Sequence, residues 1–347
     1  MGETVLVVHE RREARARLMA ALEAAGVVVL EATPEAAGAA VLGERPGVVV
    51  TAAALSLPRN GRGPTVIGWG ADPGAGAHDT VPADAPAAEI ARRVLVHLEH
   101  RGARARERAE EARQRATLAR AQARLLPRPG SVPGLRFGAV YAPALEAGGD
   151  FYDVVRLDHS SYGVLVADTM GHDLGAAYVT GALKAGLHLA VEGHGRPSAV
   201  LGSLNGALRP LLADGGHVTA AYARVDRYRS RVLLASAGHP PAILVGADRR
   251  ARVVESEGDV LGVFEAPVMG EVELAVGPGT RFYLYSDGLL DAYGPGAAAR
   301  SRALGALCRA LEDVAGYPVE LAVAEAAARA LGGSVPRDDV VLVGLEV

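Results

Sequence analysis

A set of aspartates in the last two thirds of this chain stands where the backbone is expected to turn. Gly148-Gly149-Asp150-Phe151-Tyr152-Asp153 follows one apolar run, and Asp168 closes another, with Thr169, Gly171 and His172 just after it. Ser286-Asp287-Gly288 comes directly after a third run, and Arg337-Asp338-Asp339 opens a fourth. One aspartate beside a glycine ordinarily serves as a turn residue or a helix cap. Several of them at the ends of apolar strands lie along one edge of a sheet, where they can converge on hard cations. All-oxygen donor sets take Mg2+ or Mn2+, whereas zinc sites usually include Cys or His at a characteristic spacing that is missing here. Like charges gathered in one place repel, and a bound cation is the natural compensation.

The elements that must position these side chains are legible as apolar runs. Residues 135–141, 162–167, 219–225, 231–235, 242–245, 282–285 and 340–345 read as strands, with 226–230 as a hairpin turn. Helical spacing fits 173–191, 197–213, 300–314 and 318–331. The front of the chain alternates instead. Strands at 5–8, 27–30, 48–51 and 66–68 are interleaved with helices at 11–25 and 34–43 and closed by one at 86–98. That pattern predicts a doubly wound α/β domain with a parallel sheet covered on both faces. Between the two regions, Ala105, Ala109, Ala112, Ala116, Ala119, Ala123 and Leu126 step by fours and threes. This is a heptad seam, which predicts a long helix able to pair as a coiled-coil dimer. Pro127 and Pro129 end it. The expected division is therefore 1–98, a helical linker at 99–129, and 130–347.

Composition narrows the class. Hydrophobic residues make up 50% of the 347 and charged residues 22%, as in a globular protein. The net charge of −4 lacks the basic surplus of a nucleic-acid binder. Cys308 is the single cysteine, so no intrachain disulfide can form. No signal-peptide pattern opens the chain and no apolar run approaches the ~20 residues that span a bilayer. A soluble cytoplasmic protein is the expectation.

Five segments in order carry a resemblance: GGDFYD at 148–153, VADTMGHD at 166–173, SAGHPP at 236–241, YSDGLLDA at 285–292 and PRDDVVLV at 336–343. They resemble the PPM/PP2C-type serine/threonine phosphatases of the bacterial sporulation and stress-response branch, over about residues 120–347. The resemblance implies an α/β phosphatase domain built on a β-sandwich flanked by helices, with two or three Mn2+ or Mg2+ ions. It implies that Asp150 and Asp168 bridge or bind the metals, helped by the backbone carbonyl of Thr169. Asp287 and Asp338 would complete the cluster, with Asp339 the less favoured choice at the last position. Asp153 would act through water or at a third, weaker metal site. Two such ions lower the pKa of a shared water for in-line attack on phosphorus, without a phosphoenzyme. His172 is placed to lend the leaving oxygen a proton, and His239 to order a loop. The family turn departs at Asp173, which suits an N-cap but adds negative charge beside the metals. The stretch after Ala292 is also shorter and richer in Gly and Ala than in relatives.

The front domain resembles a response-regulator receiver. Its acidic pair is replaced by His9-Glu10, its phosphoacceptor position by Ala52 and its lysine by Ala83. Aspartyl phosphorylation needs the carboxylate as nucleophile, so this domain is expected to be silent in that chemistry. The leading expectation is a phosphatase acting on a phosphorylated anti-anti-sigma (STAS-type) regulator, with an activator protein engaging the N-terminal domain, in a homodimer. No nucleic-acid or membrane partner is expected. The rival is a phosphatase-like adaptor that binds its partner without turnover.

Overall fold

Backbone contacts divide the chain into two units, Met1–Ala112 and Arg113–Val347. The computed structural model describes residues 4–53, 63–70, 77–144, 148–170, 174–193, 195–212, 215–334, 336 and 338–347.

In the first unit the apolar runs form one parallel sheet. Its strands are β1 (Thr4–Val8), β2 (Val28–Ala32), β3 (Val48–Thr51), β4 (Thr65–Trp69) and β5 (Asp79–Val81), in the order β2-β1-β3-β4-β5. That order is the flavodoxin-like arrangement of doubly wound folds. Helices α1 (Arg12–Glu23), α2 (Ala37–Glu44) and the start of α3 (Ala87–Leu125) accompany it. Val5 and Val7 enter one core with Leu18, Leu22 and Ile90, while Leu6 and Val8 enter another with Ala37 and Val41. A strand buried on both faces must be apolar at every position, which is why β1 and β3 read as unbroken valine-rich runs. Ala52 follows β3 and donates its N–H to Val8 O. The separate helices expected at 86–98 and 99–126 are one helix of 39 residues, α3, because no proline or capping residue interrupts the sequence between them. The boundary between the units falls within it.

The second unit is a sandwich of two antiparallel five-stranded sheets. One has the order β13-β10-β9-β8-β7 and the other β12-β11-β14-β15-β6. The first comprises β7 (Phe151–Arg156), β8 (Ser161–Thr169), β9 (Val218–Asp226), β10 (Arg231–Ala237) and β13 (Glu271–Ala275). The second comprises β6 (Phe137–Ala142), β11 (Ala242–Val245), β12 (Ala251–Val254), β14 (Arg281–Tyr285) and β15 (Val340–Glu346). Successive residues alternate between two cores. Val164 and Val166 face Phe282, Leu284, Val341 and Val343 between the sheets. Leu165 and Ala167 instead meet α4 (Leu174–Gly193) and α5 (Pro197–Leu208). Leu342 and Val340 meet α7 (Ala297–Asp313) and α8 (Val319–Leu331) on the far side. The layers are therefore helix, sheet, sheet, helix. Strands β7, β12 and β13 and the short helix α6 (Gly288–Asp291) add to the elements expected from sequence.

Phe282 is fully buried in the inter-sheet core. Phe282→Ala is expected to lower stability by about 3–5 kcal/mol. Urea unfolding measures this, and a loss below about 1 kcal/mol would contradict the packing.

Candidate metal centre

Strand register brings the aspartates to one edge of the sandwich. Phe151 pairs with Ala167, so Asp150 just before β7 and Asp168 near the end of β8 stand on adjacent strands at the same end. The backbone ties them further, with Thr169 N donating to Gly149 O at 3.2 Å. In the other sheet Tyr285 pairs with Leu342, and Ser286 N donates to Val341 O at 3.0 Å. Asp287 leaves β14 there and Asp338 approaches β15. A Cβ added to Gly288 would lie 2.0 Å from Asp339 O, so the turn after Asp287 passes only with glycine.

Burial and neighbouring carboxylates raise Asp150, Asp168 and Asp287 together. Burial raises the pKa of Asp150 well above the usual carboxylate range, and Asp168, Asp339 and Asp287 raise it further against a hydrogen bond with Ser286. Asp168 is pushed up to about 7 by burial and then by Asp287, Asp338 and Asp339. Asp287 is raised by burial, Asp291 and Asp338, and Arg300 opposes the shift. Asp150 Oδ2 and Thr169 Oγ1 are buried without a hydrogen-bond partner.

The remaining acids have other tasks. Asp339 is buried, and its carboxylate accepts backbone N–H groups from Ala144 at 2.7 Å and Gly149 at 2.6 Å. It anchors the loop that carries Asp150, while its neighbour Asp338 is exposed. A Cβ on Gly148 would sit 2.2 Å from Asp339 Oδ2, so that glycine is required by the close approach. Asp153 is not brought to the cluster. It is fully buried beneath α4, where Oδ1 accepts from Lys184 at 2.8 Å and Oδ2 lies 3.0 Å from His188. His239 is buried with Nδ1 2.9 Å from Thr219 Oγ1, and burial drives its pKa down to about 3. It is neutral and holds the strand paired with Asp168. His172, Asp173 and Arg337 lie outside the described residues.

Two participants went unnoticed in the sequence. Gln122 near the end of α3 is buried; its Nε2 donates to Gly148 O at 2.7 Å and its Oε1 accepts Gly148 N–H at 3.2 Å. Nothing distinguishes it within an Arg/Ala-rich helix. Arg300 on α7 donates to Asp291 at 3.0 Å and reaches Asp287 at 3.5 Å. An acid in the turn and an arginine nine residues on gave a faint signal for that pair.

The family model for stage II sporulation protein E (SpoIIE) matches residues 158–347, more than half of the chain. The chain belongs to the SpoIIE family. Phosphoserine phosphatase RsbU of Bacillus subtilis (strain 168) is 28% identical over 158 residues, which cover 45% of this chain and 47% of that protein. Phosphoserine phosphatase RsbP of the same organism is 26% identical over 161 residues, covering 45% and 40%. The chain thus spans less than half the length of these curated relatives. The solved SiaA-PP2C domain of Pseudomonas aeruginosa superposes with a TM-score of 0.59 at 24% identity, covering 70% of this chain and 98% of that one. The second unit therefore has the PP2C phosphatase fold. Among the described residues no helix is long and apolar enough to cross a membrane.

Among the described residues no three Asp, Glu, His or Cys side chains yet close around a single point. The donor set nevertheless fits divalent cations: it is all oxygen, its members repel one another, and Asp150 Oδ2 is buried without a partner. Binding must displace protons held by Asp168 and Asp150. Mn2+ affinity is therefore expected to rise as pH rises through about 7. Because the folded-state pKa exceeds the unfolded one, metal-free stability falls across the window from about 4 to about 7. Mn2+ titration at several pH values checks this, and an affinity independent of pH contradicts it.

Proposed function

We propose that this chain is a metal-dependent protein phosphatase that hydrolyses phosphoserine or phosphothreonine. The observation that carries the proposal is the placing of Asp150, Asp168, Asp287 and Asp338 at strand ends, two from each sheet, where burial and then Asp287, Asp338 and Asp339 push Asp168 up to about 7. Those four side chains and the Thr169 carbonyl would hold two Mn2+ or Mg2+ ions. When bound, the ions would supply Lewis acidity and a water made nucleophilic at neutral pH. Asp339 and Gln122 fix the Asp150 loop from opposite sides, so the chain itself sets the spacing of the donors. His172 is the candidate donor of a proton to the leaving serine oxygen. The substrate class is a phosphorylated anti-anti-sigma (STAS-type) regulator in a partner-switching pathway, in keeping with the likeness to RsbU and RsbP.

The expected units are a front domain at 1–98, a linker at 99–129 and a phosphatase domain at 130–347. The front domain is a receiver-like module that has lost its acceptor, with Ala52 just after β3 and Ala83 after β5. It would take a regulatory partner, and the alanine seam of α3 would pair two copies. An acetyl phosphate reaction is expected to leave residues 1–100 without an acyl-phosphate label; a stable label there would overturn this part.

Asp168→Asn and Asp287→Asn are each expected to lower Mn2+-dependent hydrolysis of p-nitrophenyl phosphate by about a hundredfold or more while circular dichroism is unchanged. Full activity in both variants would refute the metal-centre proposal. An inactive wild type that still binds a phosphorylated partner would favour the adaptor.

A further inference from the structure

At the rim of the carboxylate edge stands Arg300. We propose that it is a substrate-binding residue, whose guanidinium takes the phosphoryl oxygens of the phosphoserine or phosphothreonine as they reach that edge. The proposal rests on the phosphatase function above and adds the group of the chain that meets the substrate's negative charge.

Arg300 lies in the first turn of α7 and reaches back to α6. Its Nε donates to Asp291 Oδ1 at 3.0 Å, and its Nη2 stands 3.5 Å from both Asp291 Oδ2 and Asp287 Oδ2. Asp287 caps α6 and Asp291 ends it, one helical turn later, so a single arginine spans the two. Asp291 thus holds one side of the guanidinium. The contact with Asp287 is at the outer limit of a hydrogen bond and is easily exchanged. Nη1 makes no hydrogen bond among the described residues. The Arg300 side chain is 52% exposed, against 29% for Asp287, so a ligand arriving from solvent can reach it.

Charge says which ligand this position suits. A phosphate monoester carries close to two negative charges at neutral pH, and the edge it must approach is made of carboxylates. Two divalent ions carry four positive charges, and Asp150, Asp168, Asp287 and Asp338 carry four negative ones. The filled centre would then have no net charge with which to attract a dianion. A cation supplied by the chain fills that gap. Lys184 on α4 is committed to the buried Asp153 at 2.8 Å, and Arg337 lies outside the described residues. Arg300 already bears on the edge, where its charge opposes the rise in the pKa of Asp287. Its planar fork can offer paired N–H donors to two phosphoryl oxygens, and it stays charged at any working pH.

A purely structural arginine would tie α6 to α7 through Asp291 and do no more. The two roles differ in what Asp291→Asn does. If Arg300 is only a tie, loss of either partner breaks it equally. If it binds phosphate, removing the Asp291 charge frees the guanidinium for the substrate.

The test compares wild type, Arg300→Gln and Asp291→Asn on p-nitrophenyl phosphate at saturating Mn2+, with inorganic phosphate as competitive inhibitor. Calorimetry follows Mn2+ binding to each. In Arg300→Gln the inhibition constant for phosphate and the KM are expected to rise about tenfold or more, as charge-assisted hydrogen bonds are lost. Mn2+ should bind this variant no more weakly than wild type, because a cation beside Asp287 has been removed. Asp291→Asn should bind phosphate at least as tightly as wild type. Unchanged phosphate inhibition in Arg300→Gln would overturn the proposal. An equal weakening in Asp291→Asn would make Arg300 a tie between helices and overturn it as well. So would a fall in Mn2+ affinity that matches the loss of phosphate binding in Arg300→Gln, since Arg300 would then act by positioning Asp287. If wild type hydrolyses no p-nitrophenyl phosphate, the phosphatase function itself fails and the assignment of Arg300 falls with it.

Discussion

Carboxylates crowding one edge of a sandwich repel, and the rest of the second unit is organised around holding them there. Asp150 and Asp168 come from one sheet, Asp287 and Asp338 from the other, so neither sheet alone can form the centre. Burial and mutual repulsion keep Asp168 protonated up to about 7. That is a state a fold does not adopt without a reason, because ionised groups brought this close oppose folding. Two divalent cations bound there would reverse the sign of the interaction and make a destabilising cluster a binding site.

The scaffold opposes the repulsion through backbone geometry. The central strands of both sheets are apolar on both faces and enter two differently shaped cores, so a slip of one residue would exchange those cores. Register in turn sets where each strand ends, and the aspartates stand at those ends. Local anchors refine this. The Asp339 carboxylate is occupied by backbone N–H groups, and Gln122 grips both polar groups of Gly148. The loop bearing Asp150 is thus held from two directions by groups that need not touch substrate. Asp153 plays a comparable part at a distance, joining β7 to α4 through Lys184 and His188.

What the sequence disclosed follows from burial. Strands such as β3, β11 and β15 are buried on both faces and appear as apolar runs. The edge strands β12 and β13 are partly exposed, and residues such as Glu271 and Glu273 hide them among loops. Strand β7 was hidden by Asp153, a buried charge whose partners sit more than thirty residues away. The candidate centre was legible because aspartate beside glycine is local information. The different surroundings of Asp338 and Asp339 were not, because both precede β15 and only the folded chain leaves Asp338 exposed while burying Asp339 against the loop at Gly149. Gln122 gave no signal at all, since its contact with Gly148 is made by tertiary structure alone. In the front region, the change of composition near residue 99 suggested a break where α3 runs on without interruption.

Calorimetric titration of the full chain with Mn2+ near pH 7.5 tests most directly whether these four carboxylates form one cation site. Saturable binding of about two ions per chain is expected, with protons released on binding and the heat lost in Asp150→Asn. No heat of binding at millimolar Mn2+, or binding undiminished in Asp150→Asn, would contradict it.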